Sequence, residues 1–351
     1  MKAAVYHGLN DLRVEEVPRP EPGPGELLVR VEVCGVCLTD VKKVRKGLLP
    51  APRIFGHEIC GSVVGRGAGV SDFEEGERLT LQHHVPCGAC FYCRERHHAQ
   101  CESYKRTGTT AGFAPAGGGY AEYVKVMDWV VAGGAIRVPE SVPSDEAAFV
   151  EPVNTCLKAV RRAGVRKGQS VLVVGQGSIG LLLLQLARRE GAFVFGSDPL
   201  QDRRAWSRQF GASEVFDSAD EDVVTRVRAA MHGRGADVTL LAALGGSALR
   251  QAIEATRPGG RILVFAATSP GELAELDLGA LCVAEKQILT SYSSSVETQD
   301  EAARVVFDRE IQVACLISHR LPLAEAPRAF ELAATAQAGV LKVVLDMREG
   351  A

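Results

Sequence analysis

Apolar and polar residues change rhythm along this chain near residue 150. Before that point Val5, Val14 and Val17 fall among polar neighbours, and the turn-rich RPEPGPGE (19–26) follows. LLVRVEVCGVC (27–37) alternates apolar and polar side chains. That is the period of a half-buried strand, expected to end near Cys34. GSVVGRGAGV (61–70) and GERLTL (76–81) repeat the theme. The stretch to about residue 130 therefore reads as an irregular, mostly β region.

After Val150 the pattern alternates between strand and helix. AAFVEPVNTCLKAVRRAGV (147–165) has helical spacing and a glycine near its end. VLVVG (171–175) is a continuous apolar run closed by glycine, as a strand buried on both faces requires. GSIGLLLLQLARREGA (177–192) predicts a helix, FVFGSD (193–198) a strand, DRRAWSRQFGA (202–212) a helix and SEVFD (213–217) a strand. ADVTLLAA (236–243) and RILVFAA (261–267) are further buried strands, each after a helical segment. Such alternation defines a doubly wound parallel sheet, expected to close near Tyr292. The C-terminal stretch is expected to hold one helix (Glu325 to Ala336) and one strand, VLKVVLD (340–346).

Length adds that 351 residues suit two domains. The 40 basic and 43 acidic residues give a net charge of -3, against the basic bias that a nucleic-acid or polybasic membrane surface needs. No apolar run approaches bilayer length, and MKAAVYHG lacks the pattern of a secretory leader. The expectation is a cytoplasmic protein without nucleic-acid or membrane partners.

Gly175, Gly177 and Gly180 form G-x-G-x-x-G between a buried strand and a helix, and Asp198 ends the next strand. In this context each residue has a task. Gly175 permits the tight turn, Gly177 lets backbone approach a pyrophosphate, and Gly180 lets helix and sheet pack closely. The helix start, at Ser178 and Ile179, offers free N–H groups and a positive dipole end to phosphates. The Asp198 carboxylate suits ribose hydroxyls and repels a 2′-phosphate, so NAD is expected over NADP. Arg203 and Arg204 lie just downstream and would weaken that choice, but the preferred reading of both is a solvated first helical turn.

Cys87, Cys90, Cys93 and Cys101 read C-x2-C-x2-C-x7-C. Four thiolates so spaced can close a tetrahedron around zinc, which makes a structural site with no open position. An iron–sulfur cluster is the rival, and nothing else in the sequence suits electron transfer. Cys37 in GVCLTD and His57 and Glu58 in GHE are a thiolate, an imidazole and a carboxylate, a mixed set that can also hold zinc.

Together GVCLTD, GHE, the four-cysteine lobe (about 84–104), GGGYAEYV (117–124), EP at 151–152, VGQGSIG, RPGGRILV (257–264) and LKVV (341–344) resemble the zinc-dependent medium-chain dehydrogenase/reductase family, in its polyol (sorbitol) and threonine dehydrogenase-like branch. The resemblance implies an α/β protein with three segments. Residues 1–153 would form a GroES-like catalytic domain, 154–293 a Rossmann domain, and 294–351 a return to the catalytic domain. It implies two zinc ions per chain and NAD. Cys37 and His57 would be catalytic ligands, with Glu58 and Glu151 as alternative or exchanging carboxylate ligands. Thr39 matches a first proton-relay hydroxyl, and Lys42 stands where relatives often carry the next relay histidine. Asp40 would brace the site, and Lys342 would reach cofactor phosphates. The implied activity is hydride transfer between NAD(H) and a small polar secondary alcohol or ketone, such as a polyol, a sugar alcohol or a threonine-like molecule. A physiological aldehyde or ketone reductase and a non-catalytic NAD-binding sensor are the alternatives. By analogy the chain would form a homotetramer or homodimer.

Overall fold

The computed structural model describes residues 1–82, 84–103, 117–243, 245–265 and 273–348. The ends of two expected segments, at residue 104 of the cysteine lobe and at 266–267 of RILVFAA, lie outside them. The chain divides into one unit of Met1–Asn154, Ser294–Ala336 and Val340–Ala351, and a second of Thr155–Ser293 and Gln337–Gly339.

The first unit is built on a seven-stranded sheet. Its backbone order is Ile317–Pro322, Lys342–Asp346, Leu27–Gly35, Glu58–Arg66, Arg78–Leu81 and Ala135–Arg137, with Tyr123–Val126 also paired to Leu27–Gly35. A smaller sheet orders Asp11–Glu16, Lys2–Gly8 and Arg53–Ile54. The apolar positions of the alternating strands, Leu27, Val29 and Val31 among them, meet Ile59, Phe55, Tyr120 and Phe330 in one core. Each such large side chain contributes about 1.5–3 kcal/mol on burial. Two registers matter for the site. Leu27–Gly35 runs antiparallel to Glu58–Arg66 with Gly35 opposite Glu58. Lys342–Asp346 runs antiparallel on its other side with Val344 opposite Gly35. Residues around 37, 57 and 342 thereby converge at one sheet end.

The second unit is a six-stranded sheet, all parallel, in the order Glu214–Asp217, Phe193–Asp198, Ser170–Val174, Ala236–Leu241, Thr256–Val264 and Gln287–Thr290. In chain order that is 3-2-1-4-5-6, the doubly wound arrangement, whose switch point lies beside the first strand. Ser170–Val174 is buried at every position, as its unbroken apolar run requires.

Several elements depart from the sequence reading. Helix Gln299–Phe307 and strand Ile317–Pro322 join the expected helix and strand of the C-terminal stretch, where the helix is Ala326–Ala334. ISHRLP carries no apolar alternation, and its strand exists because Lys342–Asp346 offers it a parallel edge. Helix Leu38–Lys46 buries only Asp40, Val41 and Val44. That stripe is too narrow to read as amphipathic.

Candidate functional site

The G-x-G-x-x-G turn has the backbone that its glycines were expected to allow. Gly175 has φ of 89°, the left-handed region where only glycine is unstrained. A Cβ on Gly180 would lie 2.8 Å from the Gly175 carbonyl carbon and closer still to its oxygen, so helix and strand end can approach only with glycine there. Ser178 and Ile179 begin the helix Ser178–Arg189, and Gly177 is its N-cap. Asp198 ends its strand almost fully buried. Its Oδ2 accepts from the Gln176 N–H at 2.7 Å and its Oδ1 from the Leu200 N–H at 2.9 Å. The turn also fixes Gln176, a residue the sequence reading passed over. Its side-chain amide donates to the Val173 carbonyl and accepts from the Ser207 hydroxyl.

Arg203 and Arg204 are not a solvated helical turn. Arg204 pairs with Asp217 at 2.5 Å and donates to the Asp198 and Pro199 carbonyls. Arg203 lies 3.8 Å from Asp198 Oδ2 with its side chain 15% exposed. Strand Glu214–Asp217 beside Phe193–Asp198 supplies Asp217, the carboxylate that draws Arg204 in.

In the cysteine lobe the four sulfurs lie within 4.8 Å of one another. Cys87 and Cys93 are 3.9 Å apart, Cys90 and Cys93 3.5 Å. One ion with Zn–S bonds of about 2.3 Å would set tetrahedral sulfurs about 3.8 Å apart. The lobe is therefore sized for a single tetrahedral ion. Backbone N–H groups point at the sulfurs, with Cys90 N to Cys87 Sγ at 3.4 Å and Cys87 N to Cys101 Sγ at 3.3 Å. The Ala89 and Cys90 amides pull the Cys87 thiol down to about 6, while burial pushes Cys93 up to about 12. A lobe that prepares one thiolate and crowds another thiol beside it has the donor chemistry of a metal site.

The second cluster joins Cys37, His57 and Glu58, whose ligand atoms also lie within 4.8 Å of one another. Cys37 is the N-cap of helix Leu38–Lys46, and His57 immediately precedes strand Glu58–Arg66. The register that sets Gly35 opposite Glu58 brings these distant residues together. His57 Nδ1 lies 3.1 Å from Asp40 Oδ2, which leaves Nε2 to face a ligand. Three side chains converge here among the described residues, one fewer than a closed tetrahedron, so the set suits an ion with an open position. Glu151, in the first turn of helix Val150–Arg162, is buried but is not one of the three.

Asp40 is wholly buried and anchors the cluster. Its Oδ1 accepts from Lys43 Nζ at 2.8 Å, and its Oδ2 also accepts from the Gly56 N–H at 3.3 Å. Burial opposes its charge, but Lys43 and His57 outweigh that and hold its carboxyl well below the usual range. Burial likewise works against a charged His57, and Asp40 and Cys37 more than compensate, raising it well above its ordinary value. The Tyr120 hydroxyl, within GGGYAEYV, accepts from the Cys37 N–H at 3.3 Å and lies 3.2 Å from both Asp40 Oδ2 and the Gly35 carbonyl. Burial and the Asp40 charge push its phenol well up, so it remains a donor. The sequence reading quoted Tyr120 in a motif without giving it a role and did not single out Lys43.

Lys342 stands beside the Cys37–His57–Glu58 cluster. Its ammonium is buried, pairs with Glu58 Oε2 and donates to the Val36 carbonyl at 3.1 Å. The register of Lys342–Asp346 on Leu27–Gly35 carries it there. Burial opposes its charge, and Glu58 and Cys37 outweigh that and raise it. Thr39 and Lys42, both half-buried, stand at i and i+3 on helix Leu38–Lys46 and so share a face.

An open mixed-ligand cluster, a four-thiol lobe and a dinucleotide turn on a 3-2-1-4-5-6 sheet together define a metal-assisted, nicotinamide-dependent oxidoreductase class. Residues 23–139 match the alcohol dehydrogenase GroES-like domain and 178–308 the zinc-binding dehydrogenase domain. The chain is 31% identical over 344 residues to the L-threonine 3-dehydrogenase of Pyrococcus abyssi, covering 95% of this chain and 94% of that one. It is 29% identical to the sorbitol dehydrogenase of Bombyx mori, covering 99% and 98%. A protein from Sinorhizobium meliloti, described as a zinc-binding dehydrogenase and solved bound to NADP, superposes with a TM-score of 0.89 at 31% identity over 98% of each chain. The chain belongs to the zinc-dependent medium-chain dehydrogenase family. No helix among the described residues is long and apolar enough to cross a membrane.

Proposed function

We propose that this protein moves hydride between NAD(H) and a small polar secondary alcohol or its ketone, of the polyol, sugar-alcohol or threonine type. The observation that carries the proposal is the convergence of Cys37, His57 and Glu58 with one position left open, His57 being oriented by Asp40. The threonine and sorbitol dehydrogenase relatives support the substrate class.

Cys37 and His57 would hold a zinc ion, with Glu58 as the third side chain, and the four-cysteine lobe would hold a second, structural one. Bound at the open site, zinc supplies Lewis-acid polarisation of the substrate oxygen. The nicotinamide supplies the hydride acceptor or donor. The chain's own residues do the rest. Asp40 keeps the His57 tautomer that presents Nε2. Glu58 is shared between the ligand set and Lys342, so Lys342 holds its charge whenever it is off the metal. The Thr39 hydroxyl would accept the proton leaving the substrate hydroxyl as it releases its own, and that proton would pass to water or to Lys42 on the same face in its neutral amine form. Glu151 lies close enough to Lys342 to add to its charge stabilisation and serves as the alternate carboxylate. The amides at Gly177, Ser178 and Ile179 take the pyrophosphate, and Asp198 takes the adenosine ribose hydroxyls. Arg203 at 3.8 Å offsets part of the Asp198 charge, so NADP is admitted more weakly than NAD.

We also propose a homo-oligomer. Gln287–Thr290 is the last strand of its sheet among the described residues, and Leu273, Leu278 and Val283, which precede it in the chain, are 92%, 71% and 89% exposed. An open edge with large apolar side chains is the kind of surface a second copy covers.

The test follows reduction of NAD, with NADP in parallel, by zinc-loaded protein across polyols, sugars, threonine and simple secondary alcohols. Turnover that vanishes in Cys37→Ser supports the proposal. Turnover that survives that substitution, or a protein holding one zinc and turning over nothing, refutes it.

A further inference from the structure

Adjacent lysines at 42 and 43 follow the Cys37 ligand position, and the second reaches a buried carboxylate. Lys43 turns inward with its side chain 19% exposed and bonds Asp40 Oδ1 at 2.8 Å. Its ammonium also lies 5.3 Å from the centre of the Phe55 ring, two residues before His57. Across from it the Tyr120 hydroxyl bridges the Cys37 N–H and Asp40 Oδ2. A carboxylate's terminal torsion is soft, so an aspartate orients a histidine only as well as its own oxygens are held. Here Oδ1 is held by Lys43, and Oδ2 by His57, Gly56 and Tyr120.

We propose that Lys43 and Tyr120 form a clamp on Asp40, acting as positioning residues that keep Cys37 and His57 preset for the metal. This rests on the zinc reading above. Lys43 fixes the carboxylate rotation and, through Phe55, the approach to His57. Tyr120 ties the ligand cysteine's backbone to the same carboxylate. The Tyr120 ring packs edge-on against Phe330 at 5.3 Å, so its hydroxyl is aimed by the core rather than by solvent. Gly56 permits this closeness, since a Cβ there would lie 2.7 Å from the Tyr120 backbone nitrogen.

The test compares wild type with Lys43→Met, Lys43→Arg and Tyr120→Phe. Lys43→Met keeps the stem near Phe55 and removes the charge. Tyr120→Phe keeps the packing and removes the hydroxyl. Zinc-loaded proteins are challenged with a chromophoric chelator, and the two metal pools are separated by repeating the run on Cys37→Ser. Cobalt-loaded samples report the thiolate charge-transfer band, and thermal unfolding is followed on chelated samples. Release from the Cys37–His57 pool should quicken about tenfold in Lys43→Met and Tyr120→Phe, the loss typical of a broken partner to a ligand histidine. The lobe pool should be unchanged, the cobalt band should move, and Lys43→Arg should recover most of the wild-type rate. The expected kinetic signature is a fall in kcat larger than any rise in KM for the alcohol. Unchanged release in both variants overturns the clamp. So does equal quickening of both pools with a matching drop in Tm, because that is loosening of the fold. A wild-type protein that holds zinc only in the lobe overturns the zinc reading itself.

Discussion

Gly180→Ala adds one methyl group and should disable cofactor binding. The new Cβ would sit 2.8 Å from the Gly175 carbonyl carbon, where comfortable carbon–carbon contact is about 3.5–4.0 Å. The start of helix Ser178–Arg189 must then retreat from the strand end by roughly 1 Å, the shortfall in that contact. The next-nearest atom to the methyl is Ala242 Cβ at 3.7 Å, an ordinary contact, so the strain comes from the turn. An N–H···O bond lengthened from about 2.9 Å by that amount no longer counts as one. Each bond to a charged phosphate is worth about 1.5–3 kcal/mol. Losing one therefore raises the NADH Kd roughly tenfold to a hundredfold at about 1.4 kcal/mol per decade. Overpacking should also lower stability by about 1–3 kcal/mol. The assay is NADH titration by fluorescence or calorimetry, with zinc content as a control that should not move. Wild-type affinity at wild-type Tm would refute the close-approach reasoning.

Lys342→Met leaves Glu58 buried without its cation, which should cost about 3–5 kcal/mol in chelated protein. Thermal unfolding with and without zinc checks this, since a metal that accepts Glu58 should restore most of the lost Tm. Partial burial works to raise the Asp237 carboxyl, but the Ser170 N–H and hydroxyl and Arg257 outweigh it and lower it. Its stabilising contribution is therefore complete above the ordinary aspartate value of about 3.9 and fades as pH falls through the lowered native value. Asp237→Asn should lower Tm at neutral pH and flatten the acid limb, and a curve merely parallel to wild type would count against the assignment. Val283→Lys places a charge on the exposed apolar edge and should reduce the assembly size by light scattering without lowering monomer stability. An unchanged mass would show that the edge is not the interface.

The dinucleotide turn was legible because its chemistry is local. Strand, three glycines and helix fall within a short stretch, and the steric demands at Gly175 and Gly180 arise between near neighbours. The cysteine lobe was legible for the same reason. The second cluster was readable only through resemblance, because Cys37 and His57 are 20 residues apart and each alone fits a packed side chain. Arg203 and Arg204 were misread because the carboxylates they meet end neighbouring strands. The contact of Lys342 with Glu58 was not legible, because the two are close only through two strand registers.

Periodicity, turn chemistry and short motifs were thus sufficient for the α/β class, the strand–helix alternation of the nucleotide-binding unit and the candidate metal-ligating residue types. These depend on interactions within a few residues, which a linear pattern records. Sheet register was needed for the rest. It sets Gly35 between Glu58 and Val344, brings Lys342 onto Glu58, and places Asp40 where Lys43, His57 and Tyr120 can all reach it. A buried charge is tolerated only where partners surround it, and those partners come from segments far apart in the chain.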